Sequence, residues 1–151
     1  MAKAKLDLLK KLRNETSASI ADLRKALEES ANDYKKALGW IKKHGIEKAD
    51  KKADRQTAQG IVEAYIHQNG KVGTMVELLC ETDFVARTNE FKNLAHEIAM
   101  QSAAMAPKYI DSLLKHEYIR DPSIKIADLI KQTITKLGEN VVLKRFERFK
   151  I

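Results

Sequence analysis

The residues whose types and spacing could do chemistry are concentrated in one short stretch, residues 80–91. An apolar pattern typical of a β-strand runs into this stretch from Val72, and a helical pattern leaves it from about Thr88. Between the two lies the turn Thr82-Asp83-Phe84-Val85, in which an acid stands beside a large aromatic side chain. Most phenylalanines are buried in a core, but a turn at this junction can instead present Phe84 outward, as a contact for a partner.

The motifs by which common classes of enzyme are recognised are missing from the sequence. It contains no phosphate-binding glycine loop, no Gly-x-Ser-x-Gly and no His-Glu-x-x-His, and its four histidines are scattered. Cys80 is the only cysteine, which excludes an intrachain disulfide and a cysteine zinc cluster. We therefore predict that the protein is not an enzyme and has no catalytic residue and no metal site.

The composition is that of a folded, basic protein. The 151 residues are 44% hydrophobic, which is enough for a core, and they carry a net charge of +7 that is spread along the chain. Such a charge favours an acidic partner or a nucleic acid. No run approaches the roughly 20 apolar residues of a membrane span, and residues 1–7 lack the apolar centre of a signal peptide. We expect a cytoplasmic protein with no membrane partner.

Residues 1–50 are predicted to form a bundle of three short helices. Leucines recur every three residues through Leu12, which gives the first helix one apolar stripe. Ser19 is a good N-cap for the second helix and Asp33 for the third. Gly45 follows a run of basic residues and is expected to end the third helix. The charged residues 51–56 then read as a linker.

Residues 57–151 are predicted to form an α+β core domain. Asn69-Gly70 between two strand-like runs indicates a hairpin with a two-residue turn, in which Ile66 lies opposite Gly73. Amphipathic helices are expected over residues 88–106 and 126–137, and a third strand over residues 140–151. The fold class is therefore α+β, with a three-helix bundle followed by a three-stranded antiparallel sheet and helices.

The second strand of the hairpin is apolar on both faces, with Val76, Leu78 and Cys80 on one side and Met75 and Leu79 on the other. A sheet with two apolar faces must be covered on both. The two long helices supply one cover, and this domain has no further element for the other. We therefore expect a homodimer in which two sheets pair face to face.

Three motifs resemble one known family. The string Cys-Glu-Thr-Asp-Phe-Val-Ala-Arg at residues 80–87 closely resembles the motif region of the bacterial elongation factor Ts family. Leu12-Arg13-x-x-Thr16 resembles the start of that family's ubiquitin-associated-type (UBA-like) domain, and residues 136–146 resemble its Lys-Ile-Gly-Glu-Asn-Ile-x-Val-Arg-Arg segment. The chain looks like a short form of the family.

Two departures accompany this resemblance. Ser17 and Ser19 stand where the family's UBA-like domain has glycines. Between Tyr109 and Leu113 the sequence lacks several dozen residues that form a protruding helical hairpin in the family. Contacts that the family makes through that hairpin are therefore out of reach here.

The resemblance implies a function without bond chemistry, which is guanine-nucleotide exchange on elongation factor Tu during translation elongation. The protein would bind both the GDP-bound and the nucleotide-free GTPase. It would need no cofactor, and the Mg²⁺ belongs to that partner. The resemblance assigns the wedge that disturbs the Mg²⁺ and phosphate site to Thr82, Asp83, Phe84 and Val85. It assigns docking by the N-terminal domain to Leu12, Arg13 and Ile20.

A second interpretation is a small basic protein that binds nucleic acid or the ribosome. Residues 144–150, Lys-Arg-Phe-Glu-Arg-Phe-Lys, interleave basic and aromatic side chains, which suits stacking and phosphate contact. The competing explanation is a terminal strand with its phenylalanines inside and its basic side chains outside. We favour that explanation and expect no specific nucleic acid.

Overall fold

The computed structural model describes residues 2–151, and their side chains from residue 5 onward. Its architecture is α+β, as predicted. The elements are α1 (Ala2–Thr16), α2 (Ile20–Glu29), α3 (Tyr34–Asp50), β1 (Gln59–Ile66), β2 (Val72–Cys80), α4 (Asp83–Ala86), α5 (Asn89–Met105), α6 (Ile110–Lys115), β3 (Glu117–Tyr118), β4 (Asp121–Lys125), α7 (Ile126–Leu137) and β5 (Val141–Lys150). None of the helices in this part of the chain combines the length and the apolar character needed to cross a membrane.

The first three helices form a bundle with its own apolar core. Leu12, Leu23 and Leu27 are buried at its centre. The predicted N-caps are present, since the Ser19 side chain accepts a hydrogen bond from the Asp22 N–H and the Asp33 side chain accepts one from the Lys36 N–H. Each cap satisfies a backbone donor that the first turn of a helix leaves free.

The connection between α1 and α2 passes through a strained residue. Ser17 has a φ of 53°, in the left-handed region that glycine adopts without steric cost. Its N–H donates to the Arg13 carbonyl over 2.8 Å and so closes the end of α1. Ser17 is one of the two serines that stand where the resembled family has glycine, and the structure gives that position a physical reason.

We expect Ser17→Gly to raise the free energy of unfolding by roughly 0.5–1 kcal/mol, because removing the Cβ relieves a cost of about 1–2 kcal/mol and glycine's greater freedom in the unfolded chain returns part of it. Ser19→Gly is the matched control. Ser19 has a φ of −63°, so this change only removes an N-cap and should cost a few tenths of a kcal/mol. Urea unfolding of both variants measures the difference, and a destabilised Ser17→Gly protein would contradict the strain.

Helix α3 runs to Asp50, beyond Gly45, so the prediction that Gly45 ends it is wrong. Gly45 lies instead where α7 crosses α3. A Cβ on Gly45 would lie 3.2 Å from the Thr135 side chain, and the Thr135 hydroxyl donates to the Gly45 carbonyl over 2.8 Å. One turn later, Ala49 belongs to the core of the α+β region. The first half of α3 thus serves the bundle and its last turns serve the second core.

The sheet is antiparallel with strand order β1-β2-β5, and Ile66 pairs with Gly73 as predicted. The turn itself differs from the prediction. Gly70 has a φ of 69° whereas Asn69 does not have a positive φ, and the His67 N–H donates to the Val72 carbonyl across a four-residue loop. The register survives because the loop gains one residue on each side of Asn69-Gly70, which leaves the pairing of the strands unchanged.

The two faces of this sheet have different surroundings. On the inner face, Thr74, Val76, Leu78 and Cys80 are buried beneath α5. The opposite face, which we call the outer sheet face, carries apolar side chains that the chain leaves 48–67% exposed, namely Val62, Ile66, Met75 and Phe149. The expectation that one chain covers only one face is therefore confirmed.

The terminal strand divides its two aromatic side chains between the faces. A register shift opposite Glu77 and Leu78 leaves Lys144 unpaired in β5. Phe146 then packs against the core, whereas Phe149, three residues on, is 67% exposed on the outer sheet face. The expectation that the phenylalanines of this strand lie inside is right for Phe146 and wrong for Phe149, because residues three apart on a strand face opposite sides.

Candidate partner-binding turn

The motif turn folds as one turn of helix rather than as an irregular loop. Thr82 is the N-cap of α4, and its hydroxyl accepts a hydrogen bond from the Val85 N–H over 3.4 Å. Val85 packs against the core and Ala86 is buried. The Phe84 side chain points away from these residues and is 76% exposed. A large aromatic side chain is thus held outward by neighbours that are themselves anchored.

Asp83 lies beside Phe84 and is half-exposed. Its carboxylate makes an ion pair with the Arg87 guanidinium at 2.9 Å, one helical turn away. Exposed pairs of this kind contribute only about 0–1 kcal/mol to stability. A partner that offers a cation or a hydrogen-bond donor can therefore recruit Asp83 at little cost to the fold.

The base of the turn is held by Glu139, which lies between α7 and β5. One oxygen of its carboxylate accepts hydrogen bonds from the N–H groups of Glu81 and Thr82, at 3.1 and 3.0 Å. The other oxygen accepts the Thr82 hydroxyl at 2.6 Å. Gly138 makes this approach possible, because its φ of 78° ends α7 and turns the chain toward the end of β2.

The contact is reciprocal. The Asn140 N–H donates to the Glu81 carboxylate over 2.7 Å, and the Arg55 guanidinium lies 3.6 Å from the same carboxylate oxygen. The buried Asn140 amide donates to the carbonyls of Ala53 and Arg55, at 3.2 and 2.9 Å. Three segments that are distant in sequence therefore meet under the motif turn. They are residues 53–55, 81–82 and 139–140.

Cys80 lies directly beneath this turn and is fully buried. Its thiol donates to the Thr82 carbonyl over 3.1 Å. Burial, together with the negative charge of Glu139, raises the pKa of the Cys80 thiol to about 11. The group is therefore a neutral thiol at physiological pH, which is the unreactive form. Cys80 acts as a packed core residue rather than as a nucleophile.

The three predicted docking residues of the bundle lie in different environments. Ile20 is 49% exposed and Arg13 is exposed, and the two flank the Ser17 turn. Leu12 is fully buried in the bundle core. In the free protein Leu12 therefore supports the helix that carries Arg13, and its docking role stays a prediction.

Two of the four basic side chains of the terminal strand have partners within the chain. The Arg145 guanidinium pairs with Glu77 at 2.7 Å, and the Arg148 guanidinium donates to the Ala103 carbonyl at 3.0 Å. Phe146 packs against the core. Of the aromatic side chains that suggested base stacking, Phe149 is the exposed one.

The sequence did not single out Glu139 and Asn140 as parts of the candidate site. They lie within residues 136–146, a segment that was noted only as a second motif. The signal that could have found them is positional, since this motif ends a helix and begins the strand that pairs with β2. The first residues of that strand must therefore lie beside the end of β2, where the motif of residues 80–87 begins.

Comparison with known proteins identifies relatives along almost the whole chain. A family model described as elongation factor TS matches residues 81–151. The chain is 40% identical to elongation factor Ts of Coprothermobacter proteolyticus over 187 aligned positions, which cover 94% of this chain and 95% of the relative. It is 39% identical to that of Thermotoga neapolitana over 189 positions, covering 97% and 96%.

A third relative aligns with almost the whole chain without a long insertion. The chain is 43% identical to elongation factor Ts of a Nostoc species over 149 positions, which cover 99% of this chain and 47% of the relative. The other two alignments are longer than the 151 residues of this chain, so those relatives contain residues that it lacks. The lengths agree with the prediction that this chain is a short form.

Proposed function

The chain belongs to the elongation factor Ts family, and we propose that it acts in the cytoplasm as a guanine-nucleotide exchange factor for elongation factor Tu. The family is one of translation elongation factors and not of enzymes. The single observation that carries the proposal is the exposed Phe84, which an anchored turn presents at the centre of the family's motif region.

The thermodynamics of exchange fix what such a protein must do. It can weaken the binding of GDP only by binding the nucleotide-free GTPase more tightly than the GDP-bound form. In GTPases of this kind the nucleotide is held mainly by a phosphate loop and by Mg²⁺. A wedge that disturbs the Mg²⁺ site weakens that hold without contacting GDP, so the exchange factor needs no cofactor of its own.

We assign different roles to the four residues of the wedge. Phe84 and Asp83 are exposed or half-exposed and supply the contact with the partner. Thr82 and Val85 are turned toward the protein, where one caps the helix and the other packs against the core. The second pair therefore holds the first pair in place.

The N-terminal bundle, which we propose is a UBA-like domain formed by residues 1–50, supplies a second contact. Arg13 and Ile20 are accessible at one end of this bundle. Helix α3 joins the bundle to the second domain, residues 57–151, by the close crossing of Gly45 with Thr135 and by the ion pair between Asp50 and Lys131 at 2.9 Å. These contacts favour a docking arm that is held firmly against the second domain. The predicted linker, residues 51–56, is therefore not the sole connection between the two domains.

The double change Arg13→Ala and Ile20→Ala is expected to raise the concentration of this protein that gives half-maximal GDP release by about five- to tenfold, because Ile20 would bury roughly half of an apolar side chain in the partner. The maximal rate should stay nearly constant, since the wedge is intact. Titration of labelled GDP release against protein concentration separates the two quantities. An unchanged titration curve would rule out this docking surface.

We also propose that the protein is a homodimer through the outer sheet face. Val62, Ile66, Met75 and Phe149 form an apolar surface there that one chain leaves open. Pairing that surface with its copy across a two-fold axis would bury both at the usual sheet separation of about 10 Å. The wedge lies at the far end of β2 from Phe149, so such a dimer would leave Phe84 accessible.

The direct test of the proposed function is the release of labelled GDP from elongation factor Tu in the presence and absence of this protein. Release should be accelerated, and the protein should bind nucleic acid weakly at every salt concentration. A steep loss of nucleic-acid binding with rising salt, without any effect on GDP release, would instead support the nucleic-acid interpretation.

A further inference from the structure

Glu139 makes three hydrogen bonds, and all of them go to the two residues that begin the motif turn. Two are with the backbone N–H groups of Glu81 and Thr82 and one is with the Thr82 hydroxyl. The carboxylate is part of neither apolar core, and its side chain is only partly buried. Its contacts are thus directed at the turn and not at the body of the domain.

These hydrogen bonds reach Phe84 through one further link. The Thr82 hydroxyl donates a hydrogen bond to the Glu139 carboxylate. This orients the lone pairs of the hydroxyl oxygen toward the Val85 N–H. That bond is the N-cap of α4, a helix of one turn that carries Phe84. A single turn of helix is not stable by itself in water, because helix nucleation is unfavourable. The orientation of Phe84 therefore depends on how the turn is held from below.

We propose that Glu139 is a positioning residue for nucleotide exchange, which holds residues 81–82 so that Phe84 projects at a fixed angle toward the partner. This inference rests on the proposed function. It adds a residue that lies 55 positions from Phe84 in the sequence and whose hydrogen bonds all go to the turn. The reciprocal bond from the Asn140 N–H to the Glu81 carboxylate makes the same junction rigid from the other side.

The geometry makes distinct predictions for three substitutions at this position. Glu139→Ala removes every acceptor. Glu139→Asp keeps the charge but shortens the side chain by one methylene, so the carboxylate no longer reaches both N–H groups. Glu139→Gln keeps the length and one carbonyl oxygen for the two N–H groups, and its amide can donate to the Thr82 hydroxyl. Reach, rather than charge, should therefore decide the outcome, and Glu139→Gln should rescue what Glu139→Ala and Glu139→Asp lose.

The first measurement needs no partner. Amide hydrogen exchange of Glu81 and Thr82, followed by NMR, should become at least about tenfold faster in Glu139→Ala and Glu139→Asp, because the hydrogen bonds that protect these N–H groups are lost. The amide groups of Val76 and Leu78, in the middle of β2, serve as internal references and should not change. Glu117→Ala, which alters an exposed glutamate of β3, is the control variant.

The second measurement is GDP release from elongation factor Tu. Glu139→Ala and Glu139→Asp should lower the maximal rate at least about fivefold with little change in the half-saturating concentration, because the docking surface of the bundle is intact and the wedge is loosened. Glu139→Gln should recover most of that rate. A merely structural role would lower the thermal stability and the activity of all three variants in parallel.

The outcomes separate the two levels of the proposal. If the unaltered protein does not release GDP, the proposed function fails, and amide exchange still shows whether Glu139 orders the turn. If the unaltered protein is active, full activity of the folded Glu139→Asp protein overturns the positioning role, even if Glu139→Ala does not fold. Equal loss in Glu139→Gln and Glu139→Ala would also overturn it, because the charge and not the reach would then be what matters.

Discussion

Replacing Phe84 with alanine is expected to slow the release of GDP from elongation factor Tu by at least about tenfold, since a phenylalanine side chain buried in a partner contributes about 1.5–3 kcal/mol. The same change should leave the stability of the free protein almost unaltered, because Phe84 is 76% exposed and has little packing to lose. The change should therefore lower the activity without lowering the stability, whereas most damaging substitutions lower both.

The matched control for this change is Phe91→Ala. Phe91 is the nearest other phenylalanine in the sequence and is fully buried in the core of the α+β region. Its truncation should cost about 3–5 kcal/mol of stability and should reduce activity only by unfolding the protein. Thermal unfolding and GDP release measured on both variants distinguish a contact residue from a core residue. If Phe84→Ala unfolds as easily as Phe91→Ala, the wedge does not exist.

The elements that could be predicted are those with a strong local pattern. The helix over residues 126–137 has an unbroken apolar stripe, and the structure places α7 over the same residues. The pairing of Ile66 with Gly73 followed from the position of Asn69-Gly70 and holds although the turn is longer. Patterns of this kind depend only on neighbours along the chain, so one sequence is enough to read them.

The features that were missed depend on contacts between distant segments. Gly45 is a normal helix terminator, but here α3 continues past it to Asp50 and α7 approaches the helix closely at this glycine. Leu12 belongs to a motif, yet the bundle needs its side chain inside. Glu139 reaches the motif turn across 57 residues of chain. None of these partners can be read from local spacing.

The candidate site shows both cases. The exposure of Phe84 was foreseen as an alternative to burial, because the turn joins a strand to a helix. Which of its neighbours would support it could not be foreseen, since Thr82 was grouped with the contact residues and its hydrogen-bond chain with Glu139 depends on a distant segment. Residue type and motif position indicate where a site is, whereas the side-chain partners decide which members can touch a ligand.

Met75→Glu is the change expected to have the largest effect on assembly. Met75 lies on the middle strand of the outer sheet face and is 48% exposed in the single chain. If two such faces pair across a two-fold axis, the change buries a carboxylate and its symmetry copy between them. The cost of an unpaired buried charge is at least several kcal/mol, so the dissociation constant should rise by at least about a hundredfold.

Sedimentation measures this prediction directly, and the chain offers a well-matched control. Met105 is also 48% exposed, but it ends helix α5 on the other side of the sheet. Met105→Glu should leave the assembly intact, while Met75→Glu should convert it to the 17.1 kDa monomer without loss of helical or strand content. A clean monomer for the unaltered protein at micromolar concentration would overturn the homodimer, because the outer sheet face would then be stable in water or reserved for the GTPase.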